Sequence, residues 1–363
     1  MLYYLHHCAE KYNKQMKKFN RITLLLLSMV LVLSSCKKNN DDNNNNNTGD
    51  PHWKRIGLGF FNASIFTLCF DPAGNLYAGG GFTNSNGKYF VAKWDGSVWT
   101  EVGNLNSDHT ISALCSDAAG NIYASGFTNA NLDGYIAKWD GSTWTFSPPV
   151  TGQLYLNTLS ADAAGNVYAT AGTNVYRYYN GTWDAMNMSG FDHWANNALS
   201  ANGSLYVAGG AFVGGTNGAV AQWNGSGWSQ LGDINTYEQA YDLCTDANGN
   251  LYASGGFDFQ SGYVLKWNGT TWTDLNLNGN EMVTGIAVSN SGNLYAGGYF
   301  YNSNNKYYLA KWNGTAWSQE GVGMFNSNFL AVCAGPDGKI YSAGNFYFYE
   351  NNVQKHFVAV YTE

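Results

Sequence analysis

An all-β fold, a seven-bladed β-propeller of four-stranded antiparallel blades, is predicted by three observations. The first is a repeat: Gly74-Asn75-Leu76-Tyr77 returns as Gly120-Asn121-Ile122-Tyr123, Gly165-Asn166-Val167-Tyr168, Gly203-Ser204-Leu205-Tyr206, Gly249-Asn250-Leu251-Tyr252, Gly292-Asn293-Leu294-Tyr295 and Gly338-Lys339-Ile340-Tyr341. The Tyr residues lie 46, 45, 38, 46, 43 and 46 positions apart, the length of a four-stranded blade. The second is composition. Aromatics make up 16% and charged residues 12%, with 13 Trp, 26 Tyr, 44 Gly and 46 Asn. Aromatics favour strands, and Gly and Asn favour the tight turns between them. The same figures exclude disorder for the main body and argue against a helical bundle. The third is a phase mismatch. Trp53 starts an outer strand with no blade of its own, and the last repeat ends without an outer strand. A ring in which the N-terminal strand completes the seventh blade resolves both and removes the open edges.

The segment before the propeller reads as an address. Lys17, Lys18 and Arg21 precede an apolar run at 22–33, a charged flank and a core too short to span a bilayer comfortably. Met16 is the natural start of this signal. Leu33-Ser34-Ser35-Cys36 resembles a bacterial lipobox, in which the Cys36 thiol carries the lipid and becomes the mature N-terminus. Residues 1–35 are thus read as a lipoprotein signal peptide. Residues 36–52, with five consecutive Asn, are read as a polar tether that cannot fold, and 53–363 as the propeller. Lys37 follows Cys36, so no inner-membrane retention Asp is present. The expected location is the outer membrane, with its outer leaflet favoured. Cleavage leaves 13 basic against 24 acidic side chains, a net charge of −11 rather than −7. That balance disfavours nucleic acid as a partner.

Each unit holds four strands, lettered A to D from the centre outward. In the first unit strand A falls at 67–70, B at 75–82, C at 90–94 and D at 98–102. An Asp71-Pro72-Ala73-Gly74 turn joins A to B, and Asp95-Gly96 joins C to D. Read as a two-residue hairpin, the second turn makes Trp94 and Trp99 diagonal neighbours on one face. Equivalent aromatics recur through the chain, and their expected role is packing blade on blade. Asp71, Asp117, Asp162 and Asp246 are read as turn residues bonding their own backbone. The Asn-Gly-Ser/Thr triplets are explained by the turns they form, rather than as glycan acceptors.

Cys69, Cys115, Cys244 and Cys333 share one repeat position with Ser160, Ala198 and Ala287. A small side chain on the crowded inner strand is the reading, giving four free, buried thiols. No metal or cofactor is expected.

The Leu-Tyr-Ala-Gly-Gly strand, the aromatic ending the next strand and the Trp after the turn resemble kelch-type β-propellers across 53–363. Gly79-Gly80, Gly209-Gly210, Gly255-Gly256 and Gly297-Gly298 carry the likeness. The resemblance implies the ring and leaves function open, since propellers host lectins, scaffolds, lyases and oxidases. The Tyr–Cys crosslink and His ligands of the copper-oxidase relatives find no match.

Function is therefore sought on the face that carries the long B–C and D–A loops. The B–C loop is shortest in the third blade and longest in the seventh. Beside the low rim, Tyr155, Phe191 and Trp194 are expected to stack on a ligand, with Asp192 and His193 as hydrogen-bonding partners. Flat rings with Asn and Asp suit a sugar. His52, His109, His193 and His356 are not spaced as ligands, and no nucleophile has a local base signature. The expected function is a monomeric, membrane-anchored binding or scaffold module for a glycan or an envelope protein. The alternative is a propeller hydrolase, lyase or oxidase, which would gather three or more acidic or His side chains at the channel mouth.

Overall fold

The computed structural model describes residues 50–127, 133–153, 155–186, 195–210, 218–234, 239–257, 261–277 and 281–363. The signal segment, Cys36, the tether as far as 49, and Phe191, Asp192, His193 and Trp194 lie outside the described residues.

Seven antiparallel sheets follow one another along the chain. Blade 1 is Ile65–Phe70, Leu76–Gly80, Ala92–Trp94 and Trp99–Glu101; blade 2 is Leu114–Ser116, Ile122–Phe127, Gly134–Trp139 and Trp144–Phe146. Blade 3 is Thr158–Ala161, Val167–Ala171, Asn174–Tyr179 and Thr182–Ala185; blade 4 is Ala195–Ala201, Ser204–Gly209, Ala219–Trp223 and Trp228–Gln230. Blade 5 is Gln239–Thr245, Leu251–Phe257, Ser261–Trp267 and Trp272–Asp274; blade 6 is Val283–Val288, Leu294–Gly298, Tyr307–Trp312 and Trp317–Phe325. Blade 7 takes Phe329–Ala334, Ile340–Gly344 and Val353–Tyr361 from the end of the chain and Trp53–Phe61 from its start. Trp53 pairs with Tyr361 and Ile56 with Val358, and the Thr362 amide donates to the His52 carbonyl at 2.8 Å. The predicted closure is therefore the observed one.

Two backbone features explain the recurring glycines. Most inner strands carry a bulge near their start, as between Ile65 and Thr67, Ala195 and Asn197, and Ala240 and Asp242. The bulge drives the chain into strand B. A Cβ on Gly80 would lie 2.3 Å from the Ser64 carbonyl oxygen, and one on Gly298 would lie 2.1 Å from that of Met282. Only Gly permits so close an approach.

The aromatics do pack blade on blade. Trp139 and Trp144 of blade 2 sit against Tyr77, Val91, Val102 and Leu105 of blade 1 and its outgoing loop. The Trp144 indole also donates to the Val102 carbonyl at 2.8 Å. Trp183, Trp228, Trp272 and Trp317 repeat that bond to the preceding unit at 2.6–2.9 Å. These rings are half-buried; one fully buried, as Trp99 is, contributes roughly 4–6 kcal/mol gross.

Two register expectations are corrected. Trp94 lies directly opposite Trp99 rather than diagonally, with ring centroids 5.5 Å apart. The turn spans four residues, because the Asp95 carboxylate accepts the Ser97 and Val98 amides and holds a longer loop. Blade 3 alone has the two-residue C–D hairpin, where Asn180 and Gly181 both take positive φ. The second correction concerns blade 4. Its A–B turn is the two-residue Asn202-Gly203 hairpin, one residue shorter than in the other blades, so Leu199 and not Ala198 faces Tyr206. The thiol position therefore admits Leu, and Leu199 packs toward blade 5. All four cysteines are free, but only Cys115 is fully buried and the others are half-buried. Burial pushes each thiol up, Cys333 to about 12.

Candidate functional site

The two faces of the propeller divide the chemistry. On the turn face, polar groups are spent on one another. The Asp71 carboxylate accepts the Asn75 amide at 2.9 Å, the Asn75 side chain at 2.7 Å and the Tyr77 hydroxyl at 3.1 Å. Burial pushes this carboxyl up, yet the bonds from Asn75, Tyr77 and Ala73 outweigh it and hold the group below the usual carboxylate range. Lys93, opposite Tyr77 in the next strand, lies over its ring at 5.5 Å. Asp117–Tyr123–Lys138 and Asp246–Tyr252–Lys266 repeat the unit. Blade 3 keeps Asp162 and Tyr168, with Arg177 in the Lys place. The turn reading of these Asp residues was correct but incomplete, because each also anchors the strand B Tyr.

Blade 6 has Ser289 where Asp belongs. Its carboxylate arrives from Glu363, which accepts the Tyr295 hydroxyl at 2.5 Å, the Asn293 side chain at 2.9 Å and the Ser289 hydroxyl at 3.0 Å. Lys311 completes the unit over the Tyr295 ring, 3.8 Å from Glu363. Burial raises the Glu363 carboxyl, but Ser291, Tyr295, Asn293 and Ser289 together pull it down to about 2.

On the loop face two constellations remain open to a ligand. The first is an aromatic shelf over blades 2 and 3. His109 lies flat on Phe127 with centroids 3.6 Å apart and planes 22° apart, and Tyr155 meets Phe127 edge-on at 5.1 Å. All three are half-buried. They come from the loop entering blade 2, the end of its strand B and the loop entering blade 3. In blade 3, which the Tyr155 loop enters, Gly172-Thr173 alone joins strands B and C. Of the five predicted ligand residues, Tyr155 is the one described, and it belongs to this shelf. His109 and Phe127 were not singled out, because partners from separate repeats have no fixed spacing in sequence. His356 is buried, and burial lowers its pKa.

The second constellation lies on the inner strands of blades 4 and 5. The bulge at Ala195–Asn197 sends two successive side chains toward blade 5. Asn196 donates to the Ala240 carbonyl at 2.9 Å and to the Gln239 side-chain oxygen at 3.3 Å. Asn197 donates to the Asp242 carboxylate at 2.8 Å. Asp242 also accepts the Leu243 amide at 2.9 Å and, from blade 6, the Ile286 amide at 2.8 Å. It thereby ties three blades. Burial raises its carboxyl to about 7 against the pull of Ile286 and Leu243. Its counterparts by pairing register against strand B are Thr67, Ala113, Thr158, Asn197, Gly285 and Ala331. Thr67 and Thr158 play the same inter-blade part through hydroxyls, to the Leu114 and Ala198 amides. Among the described residues no three His, Cys, Asp or Glu side chains gather.

A ring of seven such sheets with a closing N-terminal strand defines the chain as a seven-bladed β-propeller. No protein-family model matches it, and no curated protein does. Solved structures share the fold. Virginiamycin B lyase from Staphylococcus aureus superposes with a TM-score of 0.65 at 10% identity, over 86% of this chain and 99% of that one. Ycf48 bound to a D1 peptide gives 0.61 at 15%, over 86% and 98%. The WD40 propeller domain of Doa1 gives 0.60 at 12%, over 84% and 94%. At these identities the likeness is one of fold alone, and the neighbours include a lyase and a peptide-bound protein.

Proposed function

We propose that this chain is an envelope-anchored binding module. In this reading lipid on Cys36 fixes it to the outer membrane, the tether lifts the domain off the surface, and the loop face over blades 2–4 holds a glycan. The kelch-like lineage and the monomeric state belong to the same proposal. The observation that carries it is the half-buried His109–Phe127–Tyr155 shelf, three flat rings left accessible where most other aromatics are committed to blade packing. Such rings suit the apolar face of a sugar, and neighbouring Asn and Asp suit its hydroxyls. Phe191, Asp192, His193 and Trp194, which lie outside the described residues, belong to the same proposal as ligand residues.

Binding is preferred to hydrolysis, elimination or oxidation because the inner ring position carries one acid among seven residues. An envelope protein is the second partner class for the same face. Glycan-array binding of the full chain, repeated with Phe127→Ala, Tyr155→Ala and Trp194→Ala, tests the reading. Loss of at least tenfold in affinity is expected for each ring that stacks. Undiminished binding in all three variants would remove the shelf from the proposal. Lipid labelling of wild type against Cys36→Ser tests the anchor.

A further inference from the structure

The Asn196, Asn197 and Asp242 ledge goes beyond the shelf and stands on separate residues. Its internal bonds leave a defined remainder. Both Asn residues spend their N–H groups inward, on Ala240, Gln239 and Asp242. Among the described residues nothing donates to their side-chain oxygens. The Asp242 Oδ1 atom is filled by Asn197 and Leu243, whereas Oδ2 accepts only Ile286 and keeps a lone pair. Three unfilled oxygen acceptors thus sit on adjoining inner strands, all on half-buried, accessible residues. Asn196 and Asn197 lie near the start of strand Ala195–Ala201, and Asp242 lies at the middle of strand Gln239–Thr245.

We infer that this ledge is a binding site for an organic cation, an ammonium or guanidinium group, with Asp242 as its counter-ion and Asn196 and Asn197 as flanking acceptors. Only donors satisfy a cluster of acceptors, and only a cation also offsets the cost of a desolvated carboxylate. A divalent metal suits the site poorly. Such ions take six or more oxygens, and here one carboxylate oxygen is already filled. The packed elements present neutral groups to Asp242: Asn197 from blade 4, Ser254 opposite it in strand B, and the Ile286 amide from blade 6. Cys244, on its own strand, is a thiol that burial keeps protonated.

Calorimetry and thermal melting of the full chain with agmatine, the uncharged amide valeramide and calcium chloride test the inference. At pH 8 agmatine is expected to bind and to raise the melting temperature by about 2 °C at tenfold excess over its Kd. Its affinity should fall about a hundredfold at pH 5, where the carboxyl is protonated. Asp242→Asn should abolish binding, and Asn197→Ala should weaken it several-fold. Valeramide and calcium should not bind. No agmatine binding, equal binding by Asp242→Asn, affinity unchanged between pH 5 and 8, or displacement of agmatine by calcium would each overturn the inference.

Discussion

Tyr206 of blade 4 and Tyr295 of blade 6 hold the same place in their blades, and neither has the turn Asp that serves Tyr77 or Tyr123. Their outcomes differ. Blade 6 keeps the long turn, keeps Lys311 and receives a carboxylate from Glu363. Blade 4 closes its turn with Asn202-Gly203 and places Gln222 opposite its Tyr. In blade 4 the carboxylate and the ammonium are therefore lost together, while the Tyr stays. A lysine is worth holding there only while an anion joins it. Blade 7 follows the logic of blade 6, since its outer strand is also supplied from elsewhere in the chain.

The most severe test of that logic is to remove the borrowed strand. Deleting 53–57 strips blade 7 of Trp53 and Ile56, both buried. It should cost more than about 4 kcal/mol, seen as a melting temperature lower by about 10 °C or more. An unchanged melting curve would show that the seventh blade stands without it.

The borrowed carboxylate comes next. Glu363→Gln should cost about 2–3 kcal/mol at neutral pH by chemical denaturation, and Ser289→Asp in that background should recover most of the loss. Failure of the second change to rescue would mean that blade 6 does not use the shared unit. The Glu363 carboxyl is depressed on folding, so its contribution is present above the ordinary Glu range and is lost as pH falls toward about 2.

Asp242 has the opposite sign. Burial raises its carboxyl to about 7, so its stabilising form is the protonated one, present below its ordinary pKa and lost as pH rises through neutrality. Asp242→Asn should therefore stabilise the domain by about 1–2 kcal/mol at pH 8 and change little at pH 4. Destabilisation at pH 8 would show that the carboxylate's three hydrogen bonds outweigh its desolvation.

The finest contrast is between two hydroxyls. Tyr123→Phe takes one of four hydrogen bonds from the Asp117 carboxylate and should cost about 1–1.5 kcal/mol. Tyr206→Phe, with no carboxylate to lose, should stay within about 0.5 kcal/mol. Equal effects would erase the distinction between the blades.

The repeat, the blade count and the closing strand were legible because they are periodic. Seven copies of Gly-x-aliphatic-Tyr mark strand B, and an unmatched Trp53 marks the seam. The turn lengths were less legible. Asp95-Gly96 and Asn180-Gly181 look alike in sequence, yet the Asp95 carboxylate captures two amides and lengthens its turn, whereas Asn180 accepts positive φ. One residue fewer in blade 4 moved Leu199 into the place assigned to Ala198. Side chains alternate along a strand, so a single-residue error exchanges faces.

By itself the sequence determined the architecture, because hydrophobic alternation and turn chemistry act between near neighbours and repeat. Only the tertiary structure decided what shares a site. Glu363 reaches Tyr295 across 68 residues, Asn197 reaches Asp242 across 45, and His109, Phe127 and Tyr155 meet from two adjoining blades. Such meetings depend on how the ring brings blades together, a distance that spacing along the chain does not encode.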